Sequence, residues 1–562
     1  MEHFSVFESK SKSRRASYLL ASTFLAISLL PSAALAGTAQ IVDVEQGSTP
    51  FLGFAGAFYS GGTIASVSFS IQPLSGSVTR PLGATYSASY LNSHGYFIPG
   101  ANAVIIPIFG LYAGTNNTIN ITYTFTDGTT NTQTTTLKTP VYTEPCAAVA
   151  NRTYFNVRPN TASLTYDYFL LKDYCSTNSP AIIDTDNNIR WVGTAGFGSQ
   201  DTGYFNNAFY ATNGTVIDRI DITNGNVTKL VDLASAVTAV SVTGTHHQID
   251  PGKTGLIVDV NTTAETEATA VEFNPTTGAI LDTWDFGAII SAAMSAGGDS
   301  STTISNFIQA PSSSNADWFH NNSVAYNPAD NTLVVSSREN FVMAIDYDAP
   351  TNGTQRKIHW ILGDSTKAWY NTPAGSLKKY ALALGNSSTL APIGQHGVSI
   401  DHLGNLLLFD DGLGSITGSN VPAGITRNYS AARSYQLTPA PTSSTVPKTA
   451  TGILTYTASS GQNLFSPICG SVYDVAGNYL VDFATTNQAA AAATPASAAS
   501  TVAGNNAIIG NYLLATSNNQ TSVILVGVGG TSNIEFVSAI ASATPCTAGW
   551  NALPFSNNVF TF

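Results

Sequence analysis

The segment Gly404-Asn-Leu-Leu-Leu-Phe-Asp410 is a short apolar strand after a Gly-Asn turn, and similar segments recur along the chain. The other copies are Thr254-Gly-Leu-Ile-Val-Asp259, Asn331-Thr-Leu-Val-Val-Ser336 and Gly477-Asn-Tyr-Leu-Val-Asp482. The repeat length is about 70 residues, so the chain after residue 150 has room for about six units. Repeated four-stranded units predict a six-bladed β-propeller over residues 150–562, with two stacked sandwiches as the alternative.

The amino-terminal part of the chain has a different pattern. Thr118–Phe125 alternates apolar and polar residues, and the turn Asp127-Gly128 leads into a Thr-rich alternation that ends at Leu137. Two strands joined by an Asp-Gly turn are a strong hairpin signal. Because this part of about 100 residues shows no helical pattern, we predict a small β-sandwich over residues 37–140. The predicted fold class of the chain is therefore all-β.

The composition supports a β protein and excludes several function classes. Charged residues make up 10% of the 562 residues, against about 25% in a typical soluble domain, and the formal net charge is −12. Thr, Ser, Asn and Gly take the place of charged residues, which is typical of strands and turns rather than of surface helices. The acidic balance argues against a nucleic-acid partner, which would require a basic stripe.

The first 36 residues have the order of an export signal. A basic segment precedes the apolar run Tyr18–Leu30, which is shorter than the about 20 residues that span a bilayer. Ala34-Leu35-Ala36 follows as a small-x-small site, so we expect cleavage after Ala36. Arg14-Arg15 is compatible with twin-arginine export, but Ser17 stands where that signal has Phe, which favours the general secretory route. We expect a soluble periplasmic protein that does not associate with a membrane.

All four cysteines lie in the mature part of the chain. An even number of cysteines in an oxidising compartment allows two disulfides, in any of three arrangements. Proximity in the sequence favours the pairs Cys146–Cys175 and Cys469–Cys546, while a free buried cysteine is the alternative at each position. None of the four has the CxxC spacing of a metal site.

Three histidines precede the recurring apolar strands. His247, His320 and His396 each open a strand that turns into the next apolar strand. Because alternate residues of a strand share a face, His247 and its neighbour His246 are expected to point in opposite directions. The innermost strands of a propeller line its central channel, so the three imidazoles are expected at one mouth of that channel. A structural hydrogen-bonding role is the alternative for any one of them.

Arg338 is expected beside this histidine cluster. It follows the end of the strand after His320, and an antiparallel return strand brings its end back to the start of its partner. Three histidines and a guanidinium would form an anion site, since Arg binds a tetrahedral oxyanion through two hydrogen bonds. The alternative for Arg338 is a surface ion pair with Glu339 or Asp346.

These motifs together resemble those of the bacterial arylsulfate sulfotransferases (aryl-sulfate:phenol sulfotransferases). The resemblance covers most of the mature chain. It is carried by Asp317-Trp-Phe-His-Asn-Asn-Ser323, Ser336-Ser-Arg338, Trp360-Ile-Leu-Gly363, Gln395-His396, Gly404–Asp410, Tyr429-Ser430, Arg433, Tyr435 and Ser466-Pro-Ile468, and in the amino-terminal part by Gly110–Ala113 and Thr122–Gly128. The chain lacks the closely spaced Cys pair that some members carry soon after the nucleophile.

The resemblance implies a six-bladed propeller with an amino-terminal sandwich, and a periplasmic enzyme that can form a homodimer. It also implies ping-pong transfer of a sulfuryl group from an aryl sulfate to a phenol, without a nucleotide sulfate donor, a cofactor or a metal. The implied site consists of His396 as nucleophile, His247, His320 and Arg338 as sulfate-binding partners, and Asn322 and His246 as substrate-binding residues.

The residue types suit this chemistry. His396 as a neutral imidazole would attack sulfur to form an N-sulfohistidine, and His320 would give a proton to the leaving phenolate. Arg338 would stabilise the sulfuryl oxygens, because positioning and electrostatics dominate such transfers.

Three other readings stay open from the sequence. The three histidines could bind zinc or iron in a lyase or hydrolase, although the charge of Arg338 would repel a cation. The propeller could be a non-catalytic binding scaffold. Water could also replace the phenol as acceptor, which would make the protein a sulfatase.

Overall fold

The computed structural model describes most of the chain from residue 36 onward. The described residues are 36–562 without 78, 99, 146–151, 155–166, 173–177, 179, 185, 187, 194–200, 309–316, 416–421, 458–464, 467–468, 476–477, 487–518, 527–532, 541–550 and 556–558. The predicted signal segment lies outside the described residues except for Ala36. The chain forms two compact units, of which the first ends at Tyr142 and also includes Asn557–Phe562, while the second is Thr143–Ser556.

The first unit is built from two antiparallel sheets. Its strands, in chain order, are β1 (Thr38–Gln46), β2 (Leu52–Ser60), β3 (Ile64–Ile71), β4 (Leu82–Ser87), β5 (Phe97–Ile98), β6 (Ala103–Phe109), β7 (Asn116–Phe125) and β8 (Thr130–Lys138), with the short helix α1 (Ala88–Ser93) after β4. One sheet has the order β1-β2-β6-β5, and the other contains β4-β3-β7-β8. The rings of Phe69 and Phe109 pack edge to face across the two sheets, with centroids 5.5 Å apart. This arrangement confirms the predicted amino-terminal sandwich.

The predicted hairpin is present in this unit. Strands β7 and β8 pair over their whole length, from Asn116 opposite Lys138 to Thr124 opposite Thr130. Gly128 adopts a φ of 84°, a left-handed conformation that other residues rarely take. The Asp127 carboxylate accepts a 2.9 Å hydrogen bond from the Thr129 amide, which closes the turn. Alternate residues of β7 are buried, as the period of a half-buried strand requires.

The second unit consists of six successive sheets among the described residues. Its strands are β9 (Arg152–Tyr154), β10 (Tyr168–Lys172), β11 (Ala181–Asp184), β12 (Ile189–Val192), β13 (Thr202–Phe205), β14 (Ala208–Asn213), β15 (Val216–Asp221), β16 (Val227–Asp232), β17 (Val242–Pro251), β18 (Leu256–Thr262), β19 (Thr269–Phe273), β20 (Ile280–Asp285), β21 (Asn321–Asn327), β22 (Thr332–Ser337), β23 (Val342–Asp346), β24 (Ile358–Leu362), β25 (Ala383–Leu384), β26 (His396–Ile400), β27 (Leu406–Asp410), β28 (Ala431–Thr438), β29 (Thr449–Tyr456), β30 (Ser471–Val475), β31 (Asn478–Thr486), β32 (Asn519–Val526), β33 (Asn533–Ile540) and β34 (Asn551–Phe555). The sheets have the orders β12-β11-β10-β34, β13-β14-β15-β16, β17-β18-β19-β20, β21-β22-β23-β24, β25-β29-β28-β27-β26 and β30-β31-β32-β33-β9.

The inner strands of these sheets lie next to one another in succession. The contacts run from β13 to β17, β21, β26, β30 and β34. The carboxyl-terminal strand β34 pairs with β10 in the first sheet, and the amino-terminal strand β9 pairs with β33 in the sixth. Exchange of strands between the two ends of a unit pairs edges that would otherwise stay open. The succession is that of the predicted propeller, and the four apolar segments that predicted it are the second strands β18, β22, β27 and β31.

Helices are few and short in the described part of the chain. In the second unit they are α2 (Leu233–Ala236), α3 (Phe286–Ala296) and α4 (Ser301–Phe307), with single 3₁₀ turns at Ala368–Tyr370 and Lys378–Tyr380. No helix within the described part of the chain is long and apolar enough to cross a membrane. Between the third and fourth sheets, Trp284, Trp318, Phe319 and Trp369 form part of one buried apolar cluster. Aromatic side chains of this size each bury about 150–250 Å², so this cluster contributes strongly to the stability of the unit.

The structure describes one of the four cysteines. Cys469 is disulfide-bonded. Cys146, Cys175 and Cys546 lie outside the described residues, so the pairs Cys146–Cys175 and Cys469–Cys546 stay a prediction.

The end of the chain differs from the sequence-based assignment, which placed it in the propeller. The strand β35 (Val559–Thr561) lies in the first unit, where it pairs in parallel with β4. Phe560 is 6% exposed and its ring packs edge to face on Phe109 at 5.0 Å. The last strand therefore completes the amino-terminal sandwich, because it pairs with the edge strand β4 and packs Phe560 against Phe109.

We predict that Phe560→Ala destabilises the first unit by about 3 kcal/mol, because it leaves a cavity against Phe109. Chemical denaturation followed by near-UV circular dichroism would measure this free energy of unfolding. Thr561→Ala, an exposed change on the same strand, is the matched control and should cost less than about 1 kcal/mol. Equal losses for the two variants would contradict a packing role for Phe560.

Candidate active site

Three neighbouring inner strands bring the predicted histidines together. His396 begins β26, His320 directly precedes β21, and His247 lies inside β17. The ring centroids of His247 and His320 are 4.7 Å apart, and those of His247 and His396 are 5.7 Å apart. His320 and His396 are 6.3 Å apart by the same measure. The predicted convergence of the three imidazoles is confirmed, although His247 does not open its strand.

Irregular backbone at these positions orients the histidine side chains toward one another. The register of β17 against β18 shifts between His246 and Ile249, and the pairing of β21 with β22 shifts between Asn321 and Ser323. His247 and His320 have left-handed φ values of 63° and 52°. Such values are rare outside glycine and cost about 1–3 kcal/mol each, a strain that is common at functional sites. Bulges of this kind redirect side chains next to active sites.

The bulge overturns the prediction that His246 points away from His247. The rings of His246 and His247 have centroids 3.4 Å apart, and His246 is 5.2 Å from His320. Regular alternation would send the two neighbours to opposite faces of the strand. The left-handed residue and the shifted register break that alternation, so both imidazoles join the same cluster.

His320 is held by two carboxylates. Its Nδ1 lies 2.6 Å from Asp317 Oδ2 and 2.8 Å from Glu267 Oε2. Burial alone would lower the pKa of His320, but the charges of Asp317 and Glu267 outweigh it and raise the pKa well above its usual range. The ring is therefore an imidazolium at neutral pH. Its Nε2 lies 2.8 Å from Nε2 of His247, to which it donates a hydrogen bond.

The other histidines of the cluster are neutral. Burial lowers the pKa of His246 to about 4, against the opposing charge of Glu267. Burial, with the charges of neighbouring His246 and His320, lowers the pKa of His247 well below its usual range. His247 can therefore accept the hydrogen bond from His320. The cluster thus contains one cationic imidazole among neutral ones.

His396 is buried and held in one tautomer. Its Nδ1 lies 3.2 Å from the carbonyl oxygen of Gly394 and 2.9 Å from Asp411 Oδ2. A carbonyl oxygen can only accept, so Nδ1 carries the proton and Nε2 keeps its lone pair. Burial, followed by the charges of Arg338 and His320, lowers the pKa of His396 well below its usual range. Burial also raises the pKa of Asp411. A neutral imidazole whose Nε2 carries the lone pair is the nucleophilic form of histidine.

Arg338 lies beside His320, as predicted. Its amide donates a 3.0 Å hydrogen bond to the His320 carbonyl. Its guanidinium is 2.6 Å from Glu339, so the ion pair considered from the sequence exists with Glu339, but it is buried rather than on the surface. Asp346 instead pairs with His359 at 2.7 Å. The positive charge of Arg338 is one cause of the lowered pKa values of His247 and His396.

The family of the chain follows from comparison of the whole sequence. The family model described as Arylsulfotransferase (ASST) matches residues 148–525, and the model described as Arylsulfotransferase Ig-like domain matches residues 59–140. The chain belongs to the arylsulfotransferase family. The two matches fall on the second and the first unit respectively. The resemblance seen in the sequence motifs is therefore confirmed.

Other comparisons add little. No curated protein matches the chain. Among solved structures, the extracellular domain of a one-component system protein from B. thetaiotaomicron shares 11% identity over 66% of this chain and 36% of its own, with a TM-score of 0.29. This chain thus spans about a third of that protein. A eukaryotic initiation factor shares 10% identity over 87% of this chain and 98% of its own, with a TM-score of 0.23. No argument rests on likenesses this weak.

The Asn322 side chain is hydrogen-bonded to the backbone next to His396. Its amide nitrogen donates a 2.7 Å hydrogen bond to the carbonyl of Gln395, the residue before His396. Its amide oxygen accepts a 3.1 Å bond from Ser323. The side chain therefore fixes the backbone that carries His396, and direct substrate binding by Asn322 stays a prediction.

Four residues of the site were not predicted from the sequence. They are Glu267, Asp317, Lys367 and Asp411. The Lys367 ammonium donates to the Glu339 carbonyl at 2.9 Å, and burial lowers its pKa to about 8. Asp317 could have been found from the sequence, because it stands three residues before His320 in the motif Asp317–Ser323. Glu267 could not have been found in this way, since it lies in a loop between β18 and β19.

We predict that Asp317→Asn lowers the pKa of His320 by at least about one unit, because one of the two carboxylates that favour the imidazolium is lost. The measurement is a pH titration of ¹³C-labelled histidine rings by NMR, with His320→Gln to assign the signal. Asp474→Asn is the matched control, since it removes the carboxylate 2.5 Å from His402 and should leave His320 unchanged. An unaltered His320 midpoint in Asp317→Asn would contradict the assigned electrostatics.

Proposed function

We propose that the protein transfers a sulfuryl group from an aryl sulfate to a phenol through an N-sulfo intermediate on His396. The observation that supports this most directly is the tautomer of His396, whose Nδ1 faces the Gly394 carbonyl and Asp411. This tautomer puts the lone pair on Nε2, in a ring whose centroid is 6.3 Å from that of cationic His320 and which also feels the charge of Arg338. Membership of the arylsulfotransferase family supports the reaction class.

In the first half-reaction, Nε2 of His396 attacks sulfur and the bond from sulfur to the phenolic oxygen breaks. The nitrogen–sulfur bond makes the imidazole cationic, and the Gly394 carbonyl oxygen and Asp411 Oδ2, both near Nδ1, can accept from the N–H of that cation. The proton that the leaving phenolate needs comes from Nε2 of His320. Arg338 and the His320 cation stabilise the negative charge of the sulfuryl oxygens and the leaving oxygen.

In the second half-reaction, the oxygen of an incoming phenol attacks the same sulfur and His396 leaves as neutral imidazole. The phenol proton passes to the now neutral His320, which restores the starting state. Each half-reaction is balanced in protons, and the aryl sulfate itself supplies the sulfuryl group, so the scheme includes no nucleotide sulfate and no cofactor. We also propose that the reaction occurs in the periplasm, on the strength of the export signal in residues 1–36.

We predict that the protein mixed with p-nitrophenyl sulfate, without an acceptor, gains the mass of one SO₃ on the peptide that contains His396. An alkaline quench is required, because a nitrogen–sulfur bond is labile to acid. His396→Asn should give no adduct and no burst of nitrophenol, while His402→Asn, at an exposed histidine, should give both. Turnover by His396→Asn at the wild-type rate would disprove the covalent step.

The role of His320 as an acid can be tested with different leaving groups. We predict that His320→Asn slows turnover of 4-methylphenyl sulfate at least tenfold more than that of p-nitrophenyl sulfate, because nitrophenolate leaves without a proton. Proton transfer from a positioned acid typically contributes about 10²–10⁴-fold. Steady-state kcat/KM for both donors, with the same acceptor, is the measurement. If the substitution lowers kcat/KM by the same factor for both donors, His320 acts only as a fixed charge.

A further inference from the structure

Four side chains at the mouth of the site form a donor cluster that sulfuryl transfer does not fully use. The four-ligand cluster consists of His246, His247, Glu267 and His320, whose ligand atoms all lie within 4.8 Å of one another. His396 stands apart from it, with its Nδ1 turned to Gly394 and Asp411. The proposed reaction uses His320 and the lone pair of His396, whereas it assigns no step to His246.

The spacing of the donors suits a small tetrahedral cation. The distance from His246 Nε2 to Glu267 Oε1 is 3.1 Å, and His247 Nε2 lies 2.8 Å from His320 Nε2. Zinc bonds to nitrogen and oxygen ligands are about 2.0–2.2 Å long, so tetrahedral ligands lie about 3.4 Å apart. These two pairs would have to open by a few tenths of an ångström, and the wider separations, of up to 4.8 Å, would have to close by about an ångström, for the four donors to surround one ion. Three imidazoles and a carboxylate are a ligand set that zinc accepts.

The surroundings hold these donors in place. The Glu267 amide donates to Asn261 at 2.9 Å, and its carbonyl accepts from the Asn321 amide at 2.7 Å. Asp317 lies on Nδ1 of His320 at 2.6 Å, which leaves Nε2 directed at the cluster. A carboxylate behind a ligating histidine is the usual outer partner of a zinc site. The positive charge of Arg338 acts on His247 and would repel a cation, and the buried carboxylate of Glu339 offsets part of that repulsion.

We propose that the four-ligand cluster binds a transition-metal dication of the zinc class, and that the bound cation inhibits sulfuryl transfer. The inhibitory part rests on the proposed function. A bound cation would occupy Nε2 of His247 and of His320, and His320 would release its Nε2 proton to solvent as the metal–nitrogen bond forms. His320 could then neither hold a sulfuryl oxygen nor give a proton to the leaving phenolate. The cation and the aryl sulfate would compete for the same histidines.

Binding is tested by titrating ZnCl₂ into the tag-free mature protein in a calorimeter. We expect one zinc ion per chain, and at least about 100-fold weaker binding in His246→Asn and in Glu267→Gln, since loss of an outer partner alone costs 10–100-fold. His402→Asn and His359→Asn are the matched controls, because each removes a histidine paired with a carboxylate elsewhere. Both controls should bind zinc like the wild type, and MgCl₂ should give no heat. A thermal melt establishes that each variant is folded.

Two results would overturn the site. They are the lack of stoichiometric zinc binding by the wild type, and an affinity that His246→Asn and Glu267→Gln both leave unchanged. A single variant that failed to fold would leave the other to decide.

Inhibition is tested separately with p-nitrophenyl sulfate and a phenol. Zinc should raise the apparent KM for the donor with kcat unchanged, and EDTA should restore the original KM. Zinc binding without any effect on KM would overturn the competition. Zinc binding by a protein that has no turnover in metal-free buffer would instead overturn the proposed function and leave the metal site standing.

Discussion

The proton on His320 is the feature on which the rest of the site depends. Asp317 and Glu267 both face its Nδ1, at 2.6 and 2.8 Å, and together they outweigh the cost of burying the cation. The resulting charge is one of the causes that keep His247 and His396 neutral. One buried cation thus places a positive charge in the site and also helps to keep the His396 imidazole neutral. Replacement of either carboxylate would disturb both properties.

The propeller supplies this arrangement because its inner strands lie side by side. Three successive strands contribute the imidazoles, with His396 at the start of β26, His320 just before β21, and both His246 and His247 in the middle of β17. A local irregularity turns these side chains toward one another. In β26 the irregularity follows His396, where Gly397 adopts a φ of 58° and a Cβ atom would lie only 3.0 Å from Ser471 Cα in the next sheet. Side chains from several rigid strands hold a precise geometry better than a single loop would. The strain at His247 and His320 is offset by the packed sheets around them.

The sequence predicted the parts of this site that depend on strand order. Arg338 was placed beside His320 because a return strand ends next to the start of its partner. The same reasoning applies to Asp411, because it directly follows β27, just as Arg338 directly follows β22. This reasoning would have placed Asp411 beside His396. The direction of the His246 side chain could not be predicted, since the pattern of apolar residues along a strand does not reveal a β-bulge or a residue with a left-handed backbone. The position of Glu267 could not be predicted either, because it lies in the loop between β18 and β19, where the sequence has no strand periodicity.

The raised pKa of His320 has a consequence for the direction of proton transfer. A phenol has a pKa near 10, far above that of an ordinary imidazolium near 6.5. An ordinary imidazolium would readily protonate a phenolate, but the neutral imidazole that remains would be a poor base for the next phenol. Because Asp317 and Glu267 bring the pKa of His320 closer to that of a phenol, donation and recovery of the proton become more nearly balanced. A ping-pong enzyme whose donor and acceptor are both phenolic needs this balance, since the same group must act as acid in one half-reaction and as base in the other.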